Sequence, residues 1–470
     1  MVARVVTNSV LTVCFVLLLV ACFGNSISST LQAPKKLFDL SSSHLSAATL
    51  KANIQNLKAR GFSGTTVRMT VGTRIFKKTP YPATDLESDT NNLKQTDSSD
   101  LPENLLKIDS ATDDGWSWLS DSDWAATEVN IRAFAKAAKV AGFKGFAFDP
   151  EPYGPNPWLY TNENFGGKSL AEVSSVVRER GKRFMALTQA ELPNARLLFL
   201  KLLNQIRQHS EDSNNAAEYE LLKAFFEGIL EVANSGVKFV DGNEDSYDYT
   251  QAKDFDDGRA YILGAESLFP TALHEKFKRQ VSISHSLFVD GLMNLYASPR
   301  FIGYYLKNNA ERLKLFEHNI YNAARSSDSF VWVYSESINW WTGQDVPANL
   351  EKTMKSALNK VNSGKQLGFE ISSFVNPALV AFKTSINISG TVTKGSSGAR
   401  GAVIRSGISD ANGNESACVV YNDLGNFDCV LPQGWSGTLT PTLQGSSFEP
   451  PNRVYANLKQ GLGNQDFQVK

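Results

Sequence analysis

Cysteine is scarce, with four in 470 residues, too few for a small disulfide-held scaffold. Histidine is nearly as rare. The five, His44, His209, His274, His285 and His318, form no H-x-H and no H-E-x-x-H, because His274-Glu275 lacks its second histidine; the pattern of a transition-metal hydrolase is missing. Neither sign of charge predominates. Against 47 Lys and Arg stand 48 Asp and Glu, a net charge of −1, and no Lys/Arg run is interleaved with aromatics, which argues against nucleic acid as a partner. There is no G-x-S-x-G elbow for a nucleophilic serine. Of the phosphate-cradling G-x-x-x-x-G-K-[ST] only the tail Gly166-Gly167-Lys168-Ser169 is found, at no strand end. What the chain does have is 42% apolar and 11% aromatic residues, enough for a sizeable core, so disorder is excluded as its main state. Its length predicts two or three domains at roughly 100–200 residues each, or one α/β barrel taking most of it.

Residues 1–24 read as a leader: Arg4 supplies a positive start, and LTVCFVLLLV (11–20) is apolar but short for a bilayer span. Leu19-Val20-Ala21-Cys22 resembles a bacterial lipobox, which implies lipidation of Cys22 and a membrane anchor; the alternative is ordinary cleavage near Ala21 or Ser26. Residues 25–34 form a polar tether. Either way the mature chain is exported, and export permits Cys418 and Cys429, which flank VVYNDLGNFD, to pair as a disulfide.

From residue 35 to 382 short β-prone runs alternate with amphipathic helical stretches. Eight strands are predicted: LFDL (37–40), TTVRMT (65–70), NLLKID (104–109), FKGFAFDPE (143–151), ARLLFLKL (195–202), VKFVDGNE (237–244), VSISHSLFVD (281–290) and FVWVYSE (330–336). Between them lie helical patterns such as TLKANIQNLKARG and EYELLKAFFEGILEVANSG. Spacing of about 42 residues per step leaves room for a strand, a loop and a crossover helix, so the fold class is α/β, a (β/α)8 TIM-type barrel. Past Lys383 the helical period vanishes and short strands between Gly/Asn turns take over; residues 383–470 are a small all-β sandwich domain.

A barrel of this type builds its active site at the C-terminal ends of its strands. Those ends are acidic and aromatic here: Asp39, Arg68, Asp149 and Glu151, Asp241 and Glu244, His285 and Asp290, Tyr334 and Glu336, with Trp340 and Trp341 just beyond. Carboxylates serve proton transfer, and flat aromatic faces stack on sugar rings. Asp149 and Glu151, two apart in a strand, point to one side, so each tunes the other. Val240–Tyr249 is acidic enough to suggest Ca²⁺, but lacks the EF-hand's length, glycine and terminal Glu, so no metal is assigned; Glu244 is read as substrate-binding. No cofactor is called for.

The run Gly145-Phe146-Ala147-Phe148-Asp149-Pro150-Glu151 resembles the fourth-strand D-x-E signature of chitinase-type glycoside hydrolases, family eighteen. Lys144 and Ala147 stand where that family has acids, so the resemblance implies a barrel glycosidase and not a chitin substrate. It gives Glu151 the role of general acid, which calls for a raised pKa, with Asp149 assisting. Glu336 is the expected nucleophile or base and Glu244 the reserve; Tyr153, Tyr247, Tyr334, Trp340 and Trp341 would shape the sugar subsites. The rival reading is a catalytically silent barrel that binds polysaccharide or scaffolds a surface complex. Residues 434–467, GWSGTLTPTLQGSSFEPPNRVYANLKQGLGNQDF, resemble the carboxypeptidase regulatory-like and prealbumin-like modules of secreted bacterial proteins, which implies a spacer, adhesion or carbohydrate-surface role; its aromatic Trp435, Phe448 and Tyr455 are read as core residues rather than a sugar platform.

Overall fold

The computed structural model describes residues 33–41, 46–99, 101–211, 216–295, 301–375, 385–399, 401–409, 415–420, 424–432 and 434–470. The leader, Cys22 and the boundary at Lys383 lie outside the described residues.

All eight expected barrel strands form, the seventh in two pieces: β1 (Lys36–Asp39), β2 (Phe62–Val67), β3 (Leu105–Asp109), β4 (Gly145–Asp149), β5 (Arg196–Phe199), β6 (Lys238–Asp241), β7 (Val281–Ile283), β8 (Ser286–Phe288) and β9 (Phe330–Tyr334). They pair in parallel in the order β7-β6-β5-β4-β3-β2-β1-β9-β8. The two outer strands, β7 and β8, are separated by Ser284 and His285 alone. At this break the chain changes neighbour: the Ser284 N–H donates to the carbonyl of Asp241 at the end of β6 (2.8 Å), while the carbonyl of His285 accepts from the N–H of Trp332 on β9 (3.2 Å). The sheet thereby curls round on itself as a TIM-type barrel.

Helices fill the crossovers: α1 (Ala47–Ala59), α2 (Ala83–Lys94), α3 (Asp121–Val140), α4 (Leu170–Glu191), α5 (Leu203–Glu211), α6 (Leu222–Val232), α7 (Ala252–Leu263), α8 (Thr271–Gln280), α9 (Val289–Met293), α10 (Asn309–Ser326) and α11 (Leu350–Asn362). Their starts are set by side chains that take up orphan N–H groups. Ser46, Ser120 and Asn308 cap α1, α3 and α10, and α4 opens with a Ser169/Glu172 capping box.

Strand alternation divides the core. Outward-facing Phe146, Phe148, Leu197 and Phe239 pack on the helices, where Phe148 lies 6.0 Å from Phe184 and 6.3 Å from Phe225 between ring centres. Inward-facing Phe38, Leu105, Ala147, Leu198, Val240, Phe330 and Trp332 fill the barrel. Gly145 opens β4 at φ +152°, and a Cβ there would collide with the carbonyl of Arg196 on β5, so the strand that carries Asp149 can approach its neighbour only with glycine at this position.

From Ser385 onward the chain forms two further sheets. One contains β10 (Ser385–Lys394), β11 (Ser397–Gly398), β14 (Asn426–Pro432), β16 (Phe448–Glu449) and β18 (Phe467–Val469); the other contains β12 (Val403–Ser409), β13 (Glu415–Val419), β15 (Gly437–Thr442) and β17 (Arg453–Tyr455). Ile386, Ile388, Ile404, Phe427, Leu431, Leu439 and Phe467 from both sheets make one apolar cluster, against which Trp435 and Tyr455 pack. Cys418 on β13 and Cys429 on β14 are joined as a disulfide that links the two sheets.

Candidate active site

Lys107 on β3 and Asp149 at the end of β4 share the inward parity of Leu105 and Ala147. The Lys107 ammonium lies 3.1 Å from Asp149 Oδ2, and both side chains are buried. β4 ends at Asp149, two residues short of the expected 151, since Pro150 has no N–H with which to continue the ladder. The other Asp149 oxygen accepts from the Glu151 N–H at 3.2 Å, which turns the chain and sets Glu151 above the strand end. Glu151 Oε2 accepts from the Tyr153 hydroxyl (2.6 Å), and its Oε1 accepts from the Lys201 ammonium (2.9 Å), which follows β5.

Lys201 also faces Glu244 Oε2 at 3.6 Å. Glu244 begins a 3-10 turn (Glu244–Asp248) just past β6, entered through Asn243 at φ +41°. The triangle through Lys201 Nζ limits the separation of these two carboxylate oxygens to about 6.5 Å. On the facing wall the Tyr334 hydroxyl donates to Glu336 Oε1 at 2.9 Å. Buried Asp290 fixes this loop by accepting from Ser335 Oγ (2.7 Å) and from the N–H groups of Glu336 (2.6 Å) and Ser337 (3.2 Å). Lys107, Asp149, Glu151, Tyr153, Lys201, Glu244, Tyr247, Tyr334 and Glu336 line one cavity of about 370 Å³, with Leu40, Leu200, Phe288 and Phe301 as its apolar walls.

Two carboxylates beside one ammonium cannot be equivalent. Burial pushes Glu244 up to about 7, helped by the charges of Asp149 and Glu151 and opposed by Lys201. Burial also acts on Glu151, but the Tyr153 hydroxyl and the Lys201 charge outweigh it and hold Glu151 below its ordinary value. Lys201 stays an ammonium: burial disfavours its charge, yet Glu244 and Glu151 together raise its pKa. Near neutrality Glu151 is therefore ionised, while Glu244 is about half protonated and carries the proton of the pair at mildly acidic pH.

Several expectations need correction. Glu151 was to have a raised pKa, and it is lowered. Trp340 and Trp341 were to floor a sugar subsite, but both are buried in the core: Trp340 packs edge-on against Phe62 (5.3 Å), and Trp341 donates its indole N–H to Asp39 at 2.9 Å. Asp39 has the outward parity of Leu37. It also accepts from Thr65 and Ser41, so it braces the wall and lines no part of the cavity. Asp241 shares the parity of Phe239 and accepts from the N–H groups of Leu203 (2.7 Å) and Asn243 (2.8 Å), with burial raising its pKa to about 7. His285, at the strand break, is buried between Tyr249 and Phe255 with Nδ1 2.8 Å from the Asn243 amide; burial pushes its pKa down to about 3. Arg68 is exposed and outside the cavity.

Lys107 and Lys201 were missed. Each follows an apolar stretch, NLLK and LLFLK, and a lysine carried into a barrel interior implies a carboxylate to meet it. Among the described residues no group of His, Cys, Asp and Glu is arranged to hold a metal ion.

No protein-family model matches the sequence, and no curated protein matches it. Solved structures give distant likenesses. A GH5-4 broad specificity endoglucanase from Clostridium cellulovorans aligns at 11% identity over 70% of this chain and 95% of its own, with a TM-score of 0.39. A second such enzyme, from Clostridium longisporum, aligns at 11% identity over 70% and 97%, with a TM-score of 0.42. D-psicose 3-epimerase from Clostridium cellulolyticum H10 aligns at 9% identity over 70% and 98%, with a TM-score of 0.35.

Proposed function

We propose that the barrel is a glycoside hydrolase in which Glu244 is the general acid and Glu151 the carboxylate that attacks the sugar. The observation that carries this reading is the Glu151–Lys201–Glu244 triad, two carboxylates on one cavity whose affinities for a proton are driven apart. Glu244 delivers its proton to the glycosidic oxygen as the bond from the anomeric carbon to that oxygen breaks. Glu151 bonds to the anomeric carbon, and water, deprotonated by Glu244, then releases the sugar and restores both groups. An oxygen separation bounded at about 6.5 Å favours this two-step, retaining course over one needing a water between the carboxylates. Lys201 keeps Glu151 ionised. Asp149, neutralised by Lys107, positions Glu151, while Tyr334 and Glu336 on the far wall receive sugar hydroxyls.

Activity requires Glu151 ionised and Glu244 protonated. The rate should fall as pH drops through the lowered pKa of Glu151 and again as pH rises past about 7. A panel of aryl glycosides and polysaccharides, assayed across pH, tests this. Glu151→Gln should lose at least about a thousandfold in turnover, and Glu244→Gln should lose the alkaline limb along with most activity on poor leaving groups. A folded Glu151→Gln variant retaining a tenth of the parent rate would sink the assignment. A parent chain inert on every glycoside would favour the silent, polysaccharide-binding barrel.

The lipobox-like Leu19–Cys22 supports export and lipid anchoring at Cys22, and the Cys418–Cys429 bond suits an oxidising compartment. In a bacterial host Cys22→Ala should move the protein from the membrane fraction to the soluble one. Unchanged partitioning and unchanged mass would refute the anchor.

A further inference from the structure

A second cavity, of about 360 Å³, lies between α5 and α7. Asn204 and Gln208, one turn apart on α5, form one side; Asp257 and Tyr261, one turn apart on α7, form the other; Asn243 and Asp245 from the loop after β6 close it. Asp245 also lines the catalytic cavity, so the two spaces share one residue. The Asp245 carboxylate is held in place. Its Oδ2 accepts from the side-chain amides of Asn204 (2.8 Å) and Gln208 (3.3 Å), which leaves Oδ1 to accept from a ligand.

The lining selects the ligand's chemistry. Asp257 already accepts the Lys253 ammonium on both oxygens, and Asp254 accepts from the N–H groups of Thr250 and Gln251, which leaves Asp245 as the acceptor beside an apolar flank of Gly258 and Ile262; this suits a molecule with hydroxyl donors on an otherwise apolar ring face. The nearby guanidinium of Arg207 is committed, 4.1 Å over the Tyr261 ring and 2.6 Å from the Tyr261 carbonyl, so the space is not built for an anion. No metal-binding group of side chains is found among the described residues.

We propose that the α5–α7 groove is a distal sugar-binding subsite, continuous with the catalytic cavity across Asp245, and that the substrate is an oligosaccharide or polysaccharide long enough to occupy both. The proposal rests on the glycosidase reading above. It adds a chain-length requirement and a path along which the sugar leaves the barrel mouth.

The test is calorimetric binding to the full-length chain carrying Glu151→Gln, with β-1,4-linked hexaoses and bioses of glucose, mannose, xylose and N-acetylglucosamine as probes. For the sugar that binds, the hexaose should bind at least tenfold more tightly than the biose, and adding Gln208→Trp, an exposed position where the indole fills the groove, should bring that ratio close to one. Gln208→Ala should reduce the ratio without abolishing it, and thermal unfolding of each variant shows whether it is folded. A ratio near one in the parent, or an undiminished ratio in folded Gln208→Trp, overturns the distal subsite while leaving the glycosidase reading in place. If no probe of either length binds, the distal subsite is overturned, and the glycosidase reading is decided separately by the panel of aryl glycosides and polysaccharides.

Discussion

The barrel carries a cluster of three charges at each end, and the two are built in opposite proportions. At the N-terminal end, Glu103 receives Lys36 of β1 at 2.7 Å and Arg196 of β5. At the C-terminal end, Lys201 is shared by Glu151 and Glu244. One acid between two bases leaves a cation in excess, and burial, with the Arg196 charge acting on Lys36, lowers the pKa of both Lys36 and Arg196; the cluster ties β1 and β5 to the segment that enters β3. One base between two acids leaves a carboxylate in excess, so a proton is held up to about neutrality, where it can be given away. The same kinds of side chain, at similar distances, make a clasp at one end and a reactive pair at the other; the count of charges decides which.

The largest effect outside catalysis should come from breaking the clasp. Glu103→Gln leaves two partly buried cations facing each other without a counter-charge, at a cost of about 3 kcal/mol in unfolding free energy. Chemical denaturation would read it. The pH optimum on any substrate should stay where it is, because the clasp sits at the opposite end of the barrel from the catalytic cavity. A stable variant with a shifted optimum would break the division drawn between the two ends.

The reactive end should give the smaller effect and a pH-dependent one. Glu244 titrates near 7 in the folded chain and near 4.5 when unfolded, so the folded state holds the extra proton and stability is lost as pH rises from about 4.5 to 7. Glu244→Gln cannot lose that proton. Its stability relative to the parent should improve by about 2 kcal/mol between pH 5 and pH 8, an order-of-magnitude figure from the linkage of proton binding to folding. Asp241, raised in the same direction, remains in both proteins and cancels from the comparison. Unfolding midpoints at the two pH values decide it; parallel curves for parent and variant would mean that Glu244 is not the proton holder.

Much of this architecture could be read from the sequence. Short β-prone runs and helical periods alternate with little ambiguity, and all eight expected runs contain a strand, although β2 begins and ends three residues earlier than expected, β4 stops at Asp149, and the interruption at Ser284-His285 was unforeseen. The site was legible less evenly. Asp149, Glu151, Glu244, Tyr247, Tyr334 and Glu336 do reach one cavity. Asp39 and Asp241 do not, although both stand at strand ends, because alternation turns them outward, and parity cannot be counted until the strand's limits are known. Trp340 and Trp341 misled for a related reason: a tryptophan pair after a strand fits a sugar platform and a core equally well, and only packing distinguishes them. The division of roles between Glu151 and Glu244 was beyond the sequence, since it depends on Lys201, a residue 50 positions from one and 43 from the other.

The smallest effect should follow removal of the C-terminal sheets. Ile386 through Val469 contribute to an apolar cluster of their own, and neither cluster of the barrel draws on a residue beyond Val375. The charge clusters at both ends of the barrel also lie wholly before that point. We therefore propose a domain boundary close to Lys383, and expect residues 35–382 to fold alone with an unfolding midpoint within a few degrees of the barrel transition in the full chain. Turnover of a small aryl glycoside should be unchanged within twofold. Activity on an insoluble polysaccharide is the sharper readout: a module that only spaces or anchors the enzyme leaves it unaltered in solution, whereas one that holds polymer near the mouth makes the fragment slower on long chains alone. A fragment that aggregates or melts far below the intact protein would refute the boundary, and would mean that the sandwich supports the barrel.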